Sequence, residues 1–311
     1  MNSFMTQLTE KILITGDQGQ LGLCMQTALA DRTIINGSDE LLDITDRETC
    51  LAILNRANPS VVINAAAYTA VDLAEQQQQQ AYAVNADGPE LLAQWCQHNE
   101  ATLIHVSTDY VFSGNRELFN AYLESDSVAP VSVYGKSKLQ GENAIMASGA
   151  RHIILRTAWL YGANRNNFLK TMLRLTLANP GKTFNVVNDQ YGSPTSTDAL
   201  ARQIVALLDH SEAITDDRFT GVYHATSSAY CSWYEFACEF FRLMGVEHKL
   251  VPCTTEEYPT AAVRPKNSIL KNQRLKDAGV DCFESWQADL AAFVDRYGDQ
   301  LLAEFTQESP G

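Results

Sequence analysis

Short apolar runs alternate with stretches of helical periodicity along the first 160 residues. Lys11-Ile12-Leu13-Ile14-Thr15, closed by Gly16, has the apolar continuity of a strand buried on both faces. Apolar residues then recur at helical spacing through Leu21, Met25, Ala28 and Leu29, ahead of a second run, Thr33-Ile34-Ile35. A helix over 46–58 is expected to take Thr45 or Asp46 as its cap and to stop before Pro59. Residues 61–64 read as a strand and 80–98 as a helix. A strand over 103–107, a helix over 134–147 and a strand over 152–155 continue the series. The glutamine run 76–80 reads as an exposed helix start or loop, with no function attached.

This βαβα order predicts an α/β protein built on a doubly wound, parallel (Rossmann) sheet with helices on both faces. The dinucleotide-binding type of domain that such a sheet forms is expected over 1–160. Beyond it the alternation loosens, and 230–241 is rich in aromatic residues. Residues 161–311 are therefore expected to form mostly a smaller C-terminal substrate-binding domain, with about 185–226 a stretch that could rejoin the sheet.

Charge narrows the range of partners. The 23 Lys and Arg against 37 Asp and Glu give a net charge of −14, unsuited to wrapping nucleic acid or lying on an anionic membrane. Residues 130–182 run against that trend, with eight basic side chains (Lys136, Lys138, Arg151, Arg156, Arg165, Lys170, Arg174 and Lys182) and the single acid Glu142. Such a stretch suits a small anionic ligand such as a diphosphate, or forms a solvated face. The seven cysteines are odd in number and lack metal-ligand spacing, Cys231 and Cys238 being seven apart in an expected helix. They read as small core hydrophobes of a reducing compartment. The N-terminus lacks a basic-then-apolar leader and no apolar run reaches membrane-spanning length, so a cytoplasmic protein is expected. Met5 could serve as the start as well as Met1.

The candidate chemistry lies at the ends of the expected strands. Gly16, Gly19 and Gly22 fall between the first strand and the first helix, where glycines allow a tight turn and let backbone N–H groups approach a pyrophosphate. The acid expected at the end of the second strand, which would hold the 2′-hydroxyl of NAD, is replaced by Asn36-Gly37-Ser38, leaving room for a 2′-phosphate. NADPH is accordingly favoured over NADH. Tyr134 and Lys138 stand at i and i+4 and share one helix face. A neighbouring ammonium is expected to lower the phenol's pKa from about 10 towards general-acid range. Thr108 lies 26 residues earlier, just past a strand's C-terminal end, where its hydroxyl can stabilise negative charge on a carbonyl oxygen.

Taken together, the glycine motif, Asn64-Ala65-Ala66-Ala67, Ser107-Thr108-Asp109 and Tyr134…Lys138 resemble the extended short-chain dehydrogenase/reductase superfamily. More closely, the chain is similar to the dTDP-4-dehydrorhamnose reductase family, through Ala67-Tyr68-Thr69-Ala70-Val71-Asp72, Arg156–Tyr161, Asn188–Thr195 and Arg264–Ser268. The resemblance implies hydride transfer from NADPH, or NADH, to the C4 keto group of dTDP-4-dehydro-6-deoxy-L-mannose, giving dTDP-L-rhamnose for surface polysaccharide. It implies Tyr134 as proton donor, Lys138 as its partner and ribose anchor, and Thr108 as the carbonyl contact. Gly19, Gln20, Leu21, Asp43, Ile44, Ala67, Tyr68 and Thr69 would line the cofactor; Asp109, Val71 and Trp159 would touch the sugar. Trp159 also reads as a core tryptophan, and Asp43 and Ile44 as the start of a helix. Tyr68 stands where the family leads one to expect histidine. Some relatives use Mg²⁺, for which no ligand cluster is visible; a homodimer is left open.

Two enzyme alternatives share the fold. A 4,6-dehydratase would carry Asp-Glu after the threonine, where this chain has Asp109-Tyr110; a 4-epimerase is set aside only by the closer match to the reductases. A non-catalytic regulatory subunit of the same fold is disfavoured by the intact Thr108, Tyr134 and Lys138.

Overall fold

A computed structural model describes residues 11–306, so both candidate starts lie outside the described residues. Its central sheet contains β1 (Lys11–Thr15), β2 (Thr33–Asn36), β3 (Val61–Asn64), β4 (Thr102–Thr108), β5 (His152–Thr157) and β6 (Gly221–His224). Their order is β6-β5-β4-β3-β1-β2, every neighbouring pair parallel. The longer helices are α1 (Gln20–Ala28), α2 (Arg47–Ala57), α3 (Gly88–His98), α4 (Val133–Ala147), α5 (Phe168–Ala178), α6 (Thr197–Asp209), α7 (Trp233–Met244) and α8 (Trp286–Thr306).

The apolar strands face protein on both sides. Ile12, Ile14, Ile63, Ile104 and Leu155 pack against Leu21 and Met25 of α1 and Leu200 and Ile204 of α6. The residues between them in sequence, Leu13, Val62, Leu103 and Ile154, pack the other way, against Ile53 of α2, Trp95 of α3 and Ile145 of α4. Side chains alternate across a strand, so a run without polar interruption is what a sheet covered on both faces requires. Each large side chain so buried contributes about 1.5–3 kcal/mol relative to exposure.

A separate apolar cluster joins α5, α7 and α8 through Leu169, Leu173, Phe236, Phe240, Leu290 and Phe293. A parallel strand pair, 183–187 with 249–253, belongs to this part of the chain. Between these segments the chain returns to the sheet: α6 lies beside α1, and β6 adds to the edge at β5.

Local chemistry sets the boundaries. Asp46, rather than Thr45, caps α2 by accepting from the backbone N–H groups of Glu48 and Thr49. The expected helix over 80–98 is interrupted by a π turn at Ala83–Asp87, just before Pro89. Proline lacks the N–H that would bond the carbonyl of residue 85 and its ring would collide with it, and the wider turn accommodates both. Cys231 lies in a short strand ahead of α7, because Ser232 and Glu235 form a capping box that starts the helix at Trp233; only Cys238 is helical. Cys50, Cys96, Cys231 and Cys253 are buried, and the half-buried Cys24 and Cys238 pack against the apolar clusters, whereas Cys282 is exposed, so the core reading fails for that one.

Candidate active site

The chain leaves β1 for β2 on one side and later returns to β3 on the other. In doubly wound sheets this switch point opens a crevice at the strands' C-terminal ends, and a cavity of about 610 Å³ opens here. Gly16 makes the turn after β1 with φ +65°, and a Cβ on it would lie 2.5 Å from the Ala66 nitrogen. A side chain is thus excluded on two grounds: left-handed backbone and contact with the segment after β3. A Cβ on Gly22 would lie 2.3 Å from the Gly16 carbonyl oxygen, so α1 seats directly on the loop. The helix is entered through Gly19 with no side-chain cap, and Gly19, Gln20 and Leu21 line the cavity. Uncapped N–H groups at a helix N-terminus form a ready anion site.

The facing wall comes from the end of β4 and the first turns of α4. Ser132 caps α4 by accepting from the Gly135 N–H. Gly135 brings the helix close, since a Cβ there would lie 2.2 Å from the Tyr110 carbonyl oxygen. Tyr134 and Lys138 therefore both reach the cavity beside Thr108 and Asp109. The Thr108 hydroxyl donates to Asp109 Oδ1 at 3.0 Å and accepts from the Tyr110 N–H at 3.2 Å. Burial pushes the Tyr134 phenol up to about 12, opposed by a hydrogen bond with Thr108 and reinforced by the Asp109 carboxylate. The expected lowering by Lys138 is absent. Its Nζ is directed instead to the Val106 carbonyl at 2.7 Å and to His105 Nε2 at 3.2 Å. Burial lowers Lys138 to about 8 against the raising influence of Glu142. Burial raises Asp109 to about 6, with the nearby Ser268 and Thr108 hydroxyls opposing it.

Ala67, Thr69, Val71 and Trp159 also line the cavity. Trp159 has φ +48°, unusual for a bulky residue, and its ring stacks on Trp233 with centroids 3.5 Å apart. It is a half-buried wall residue, not a core tryptophan. Gly16 and Gly22 stand behind the lining as close-approach positions. Asp43 and Ile44 sit away from it: Asp43 accepts from the Thr45 N–H and hydroxyl, and Ile44 is buried against Gly88. Tyr68 turns aside, its hydroxyl donating to Gln77 Oε1 at 2.8 Å.

The cationic stretch does not converge on one ligand. Arg156 is buried in a two-pronged pair with Glu142, and Lys170 bonds the Ala163 carbonyl and Glu304. Arg151 donates to the Glu100 carbonyl. Of the eight basic residues, Lys138 and Arg165 line the cavity.

Three residues escaped the motif reading. The Asp17 carboxylate accepts from the Ser38 N–H at 3.0 Å and from the Ser38 hydroxyl, so the acid missing from the end of β2 is supplied by the glycine loop. Asn85, on the π turn, binds both backbone groups of Tyr68 and the Ser137 hydroxyl. His105 touches Lys138, and only its place two residues ahead of Ser107 on an apolar strand singles it out. Among the described residues no three His, Cys, Asp or Glu side chains gather as a metal site, and no helix is long and apolar enough to cross a membrane.

Residues 10–298 match the model of the RmlD substrate binding domain family. The dTDP-4-dehydrorhamnose reductase of Aggregatibacter actinomycetemcomitans is 38% identical over 293 residues, covering 90% of this chain and 97% of that protein. The crystal structure of a dTDP-4-dehydrorhamnose reductase from Clostridium acetobutylicum superposes with a TM-score of 0.85 at 43% identity, covering 92% of this chain and 99% of that one. That of the Bacillus anthracis enzyme, in complex with NADP, gives 0.86 at 37% identity over 93% of this chain and 100% of that one. With the fold, the glycine loop and the Thr108–Tyr134–Lys138 wall in place, the chain belongs to the RmlD substrate binding domain family.

Proposed function

We propose that this protein reduces the C4 keto group of dTDP-4-dehydro-6-deoxy-L-mannose with NADPH, yielding dTDP-L-rhamnose for surface polysaccharide. The observation that carries this reading is one cavity bounded by an uncapped helix N-terminus on one wall and by Thr108, Tyr134 and Lys138 on the other. The loop around Gly16 and the N-terminus of α1 fit a dinucleotide pyrophosphate, with Gly19, Gln20, Leu21, Ala67 and Thr69 along it. Bound there, the nicotinamide supplies the hydride. NADPH is the proposed reductant, as the Bacillus anthracis relative was solved with NADP; NADH is the second choice because of the Asp17 carboxylate.

A phenol raised to about 12 is protonated at neutral pH, the state a proton donor needs when an alkoxide forms at C4. Thr108, in hydrogen-bond contact with that phenol, would offer a second donor to the same oxygen once its hydroxyl turns from Asp109. Lys138 keeps N–H capacity for ribose hydroxyls on the cavity side. Asp109 Oδ2 is buried without a partner, and a sugar hydroxyl would satisfy it. Trp159 and Val71 offer an apolar wall to the deoxysugar ring. A cytoplasmic location belongs to the proposal: all seven cysteines are free, as a reducing compartment keeps them.

Replacing Tyr134 by phenylalanine tests the acid. Turnover should fall by about 10²–10⁴-fold, while NADPH affinity, read by fluorescence titration, stays within a few-fold of the parent. Unchanged turnover would remove Tyr134 from the role.

A further inference from the structure

A buried polar chain runs across the sheet beneath the cavity. Thr15 on β1 donates its hydroxyl to Asn64 Oδ1 at 2.6 Å, Asn64 Nδ2 meets His105 Nδ1 at 3.0 Å, and His105 Nε2 meets Lys138 Nζ at 3.2 Å. Asn64 and His105 are fully buried. The direction of every bond follows from one fixed donor. The Ala66 backbone N–H donates to Asn64 Oδ1 at 3.2 Å, and a backbone amide cannot accept, so the oxygen end of Asn64 faces Ala66. The amide nitrogen of Asn64 then faces His105, whose Nδ1 must accept. A neutral imidazole that accepts at Nδ1 carries its proton on Nε2. That N–H points at Lys138.

An ammonium has three N–H groups and no lone pair, so it would meet Nε2–H donor to donor. An amine accepts from Nε2–H, donates to the Val106 carbonyl at 2.7 Å, and keeps one N–H for the cavity. We propose that His105 is a positioning residue for Lys138: held as the Nε2–H tautomer by Asn64, it faces the lysine nitrogen with a donor and so favours the uncharged form over the ammonium. In the reductase reading, on which this inference rests for its role in turnover, His105 thereby sets the pH at which Lys138 changes charge beside Tyr134.

The surroundings agree with this assignment. On its own helix Lys138 is faced by Tyr134 and by Glu142, whose charge is matched by the buried Arg156 of β5. His105 is faced by Lys138 and His152; burial first, then the charge either of them carries when protonated, disfavours a proton on its imidazole. On the cavity side stand Asp109 and Tyr110.

The test needs neither substrate nor turnover, so its failure is separate from a failure of the reductase reading. In the unaltered protein, long-range ¹H–¹⁵N correlation of the imidazoles should show His105 with a bare Nδ1 and a protonated Nε2. A protonated Nδ1 would overturn the proposal. Two variants then split the two ends of the ring. Glutamine can place an N–H donor where Nε2 stands, and asparagine can keep only the acceptor near Nδ1. Followed by ¹³Cε lysine shifts, with the resonance assigned by its loss in Lys138→Met, the parent should titrate near 8. H105N should move that midpoint upward by about one pH unit, towards an ordinary lysine, and H105Q should hold it. A midpoint that moves equally in both variants, or in neither, would overturn the assignment.

Discussion

The decisive residues are those whose surroundings dictate one protonation state. Asp109 is buried beside Thr108 and raised to about 6 from an ordinary 3.8. The folded protein therefore holds its proton more tightly than the unfolded chain, and stability falls as pH rises between about 4 and 6. Asp109→Asn removes this dependence. Its melting temperature should match the parent near pH 4 and exceed it above pH 6, while turnover should fall if the carboxylate is the sugar contact proposed above. Differential scanning fluorimetry across that range checks the sign; a gap that narrows with rising pH would contradict it. Thr108→Val keeps the shape and removes the hydroxyl, and should lower kcat by about 10–10³-fold with cofactor affinity retained, as measured by steady-state kinetics and titration. Asp17 is bonded to Ser38 just past the end of β2, where the proposed ribose would lie, so Asp17→Asn should raise kcat/KM for NADPH relative to NADH. A ratio that moves towards NADH would place the ribose elsewhere.

Among elements, α4 carries the most information. Its register was legible because Tyr134 and Lys138 stand one turn apart, and the glycines on it are spaces for neighbours: a Cβ on Gly141 would lie 2.1 Å from the Asn85 carbonyl oxygen. What the motif could not convey is where Lys138 points, since that depends on His105 and Val106 of β4, which lie far away in sequence and join it only when the sheet forms. The same holds for Glu142, which reads as a lone acid in a basic stretch but is the buried partner of Arg156. Removing one member of such a pair strands a charge in the interior. Glu142→Gln should cost about 3–5 kcal/mol in denaturant unfolding, whereas Arg156→Met with Glu142→Leu together should recover most of it. If both fall equally, the pair is not what the interior responds to. The π turn was equally hidden: periodicity marks 80–98 as helical, and only Pro89 hints at the interruption.

At the scale of the molecule, alternating periods of two and 3.6 made the sheet and its two helical layers readable, since every strand of the sheet's centre is apolar on both faces. The return of α6 and β6 to the sheet was fainter, because the connecting segments lack that alternation. The far wall of the cavity, where Trp159 takes a left-handed conformation and stacks on Trp233, could be foreseen as a contact but not as a geometry. Both halves of the chain meet at one cavity, and the account stands or falls on what happens there. The direct test is NADPH oxidation, followed at the nicotinamide absorbance, when dTDP-4-dehydrorhamnose is added to the protein, with the product resolved as a dTDP-sugar. The account predicts one dTDP-L-rhamnose formed per NADPH consumed, with the signal largely lost in Tyr134→Phe. NADPH that binds but is not consumed, or consumption indifferent to Tyr134, would contradict it.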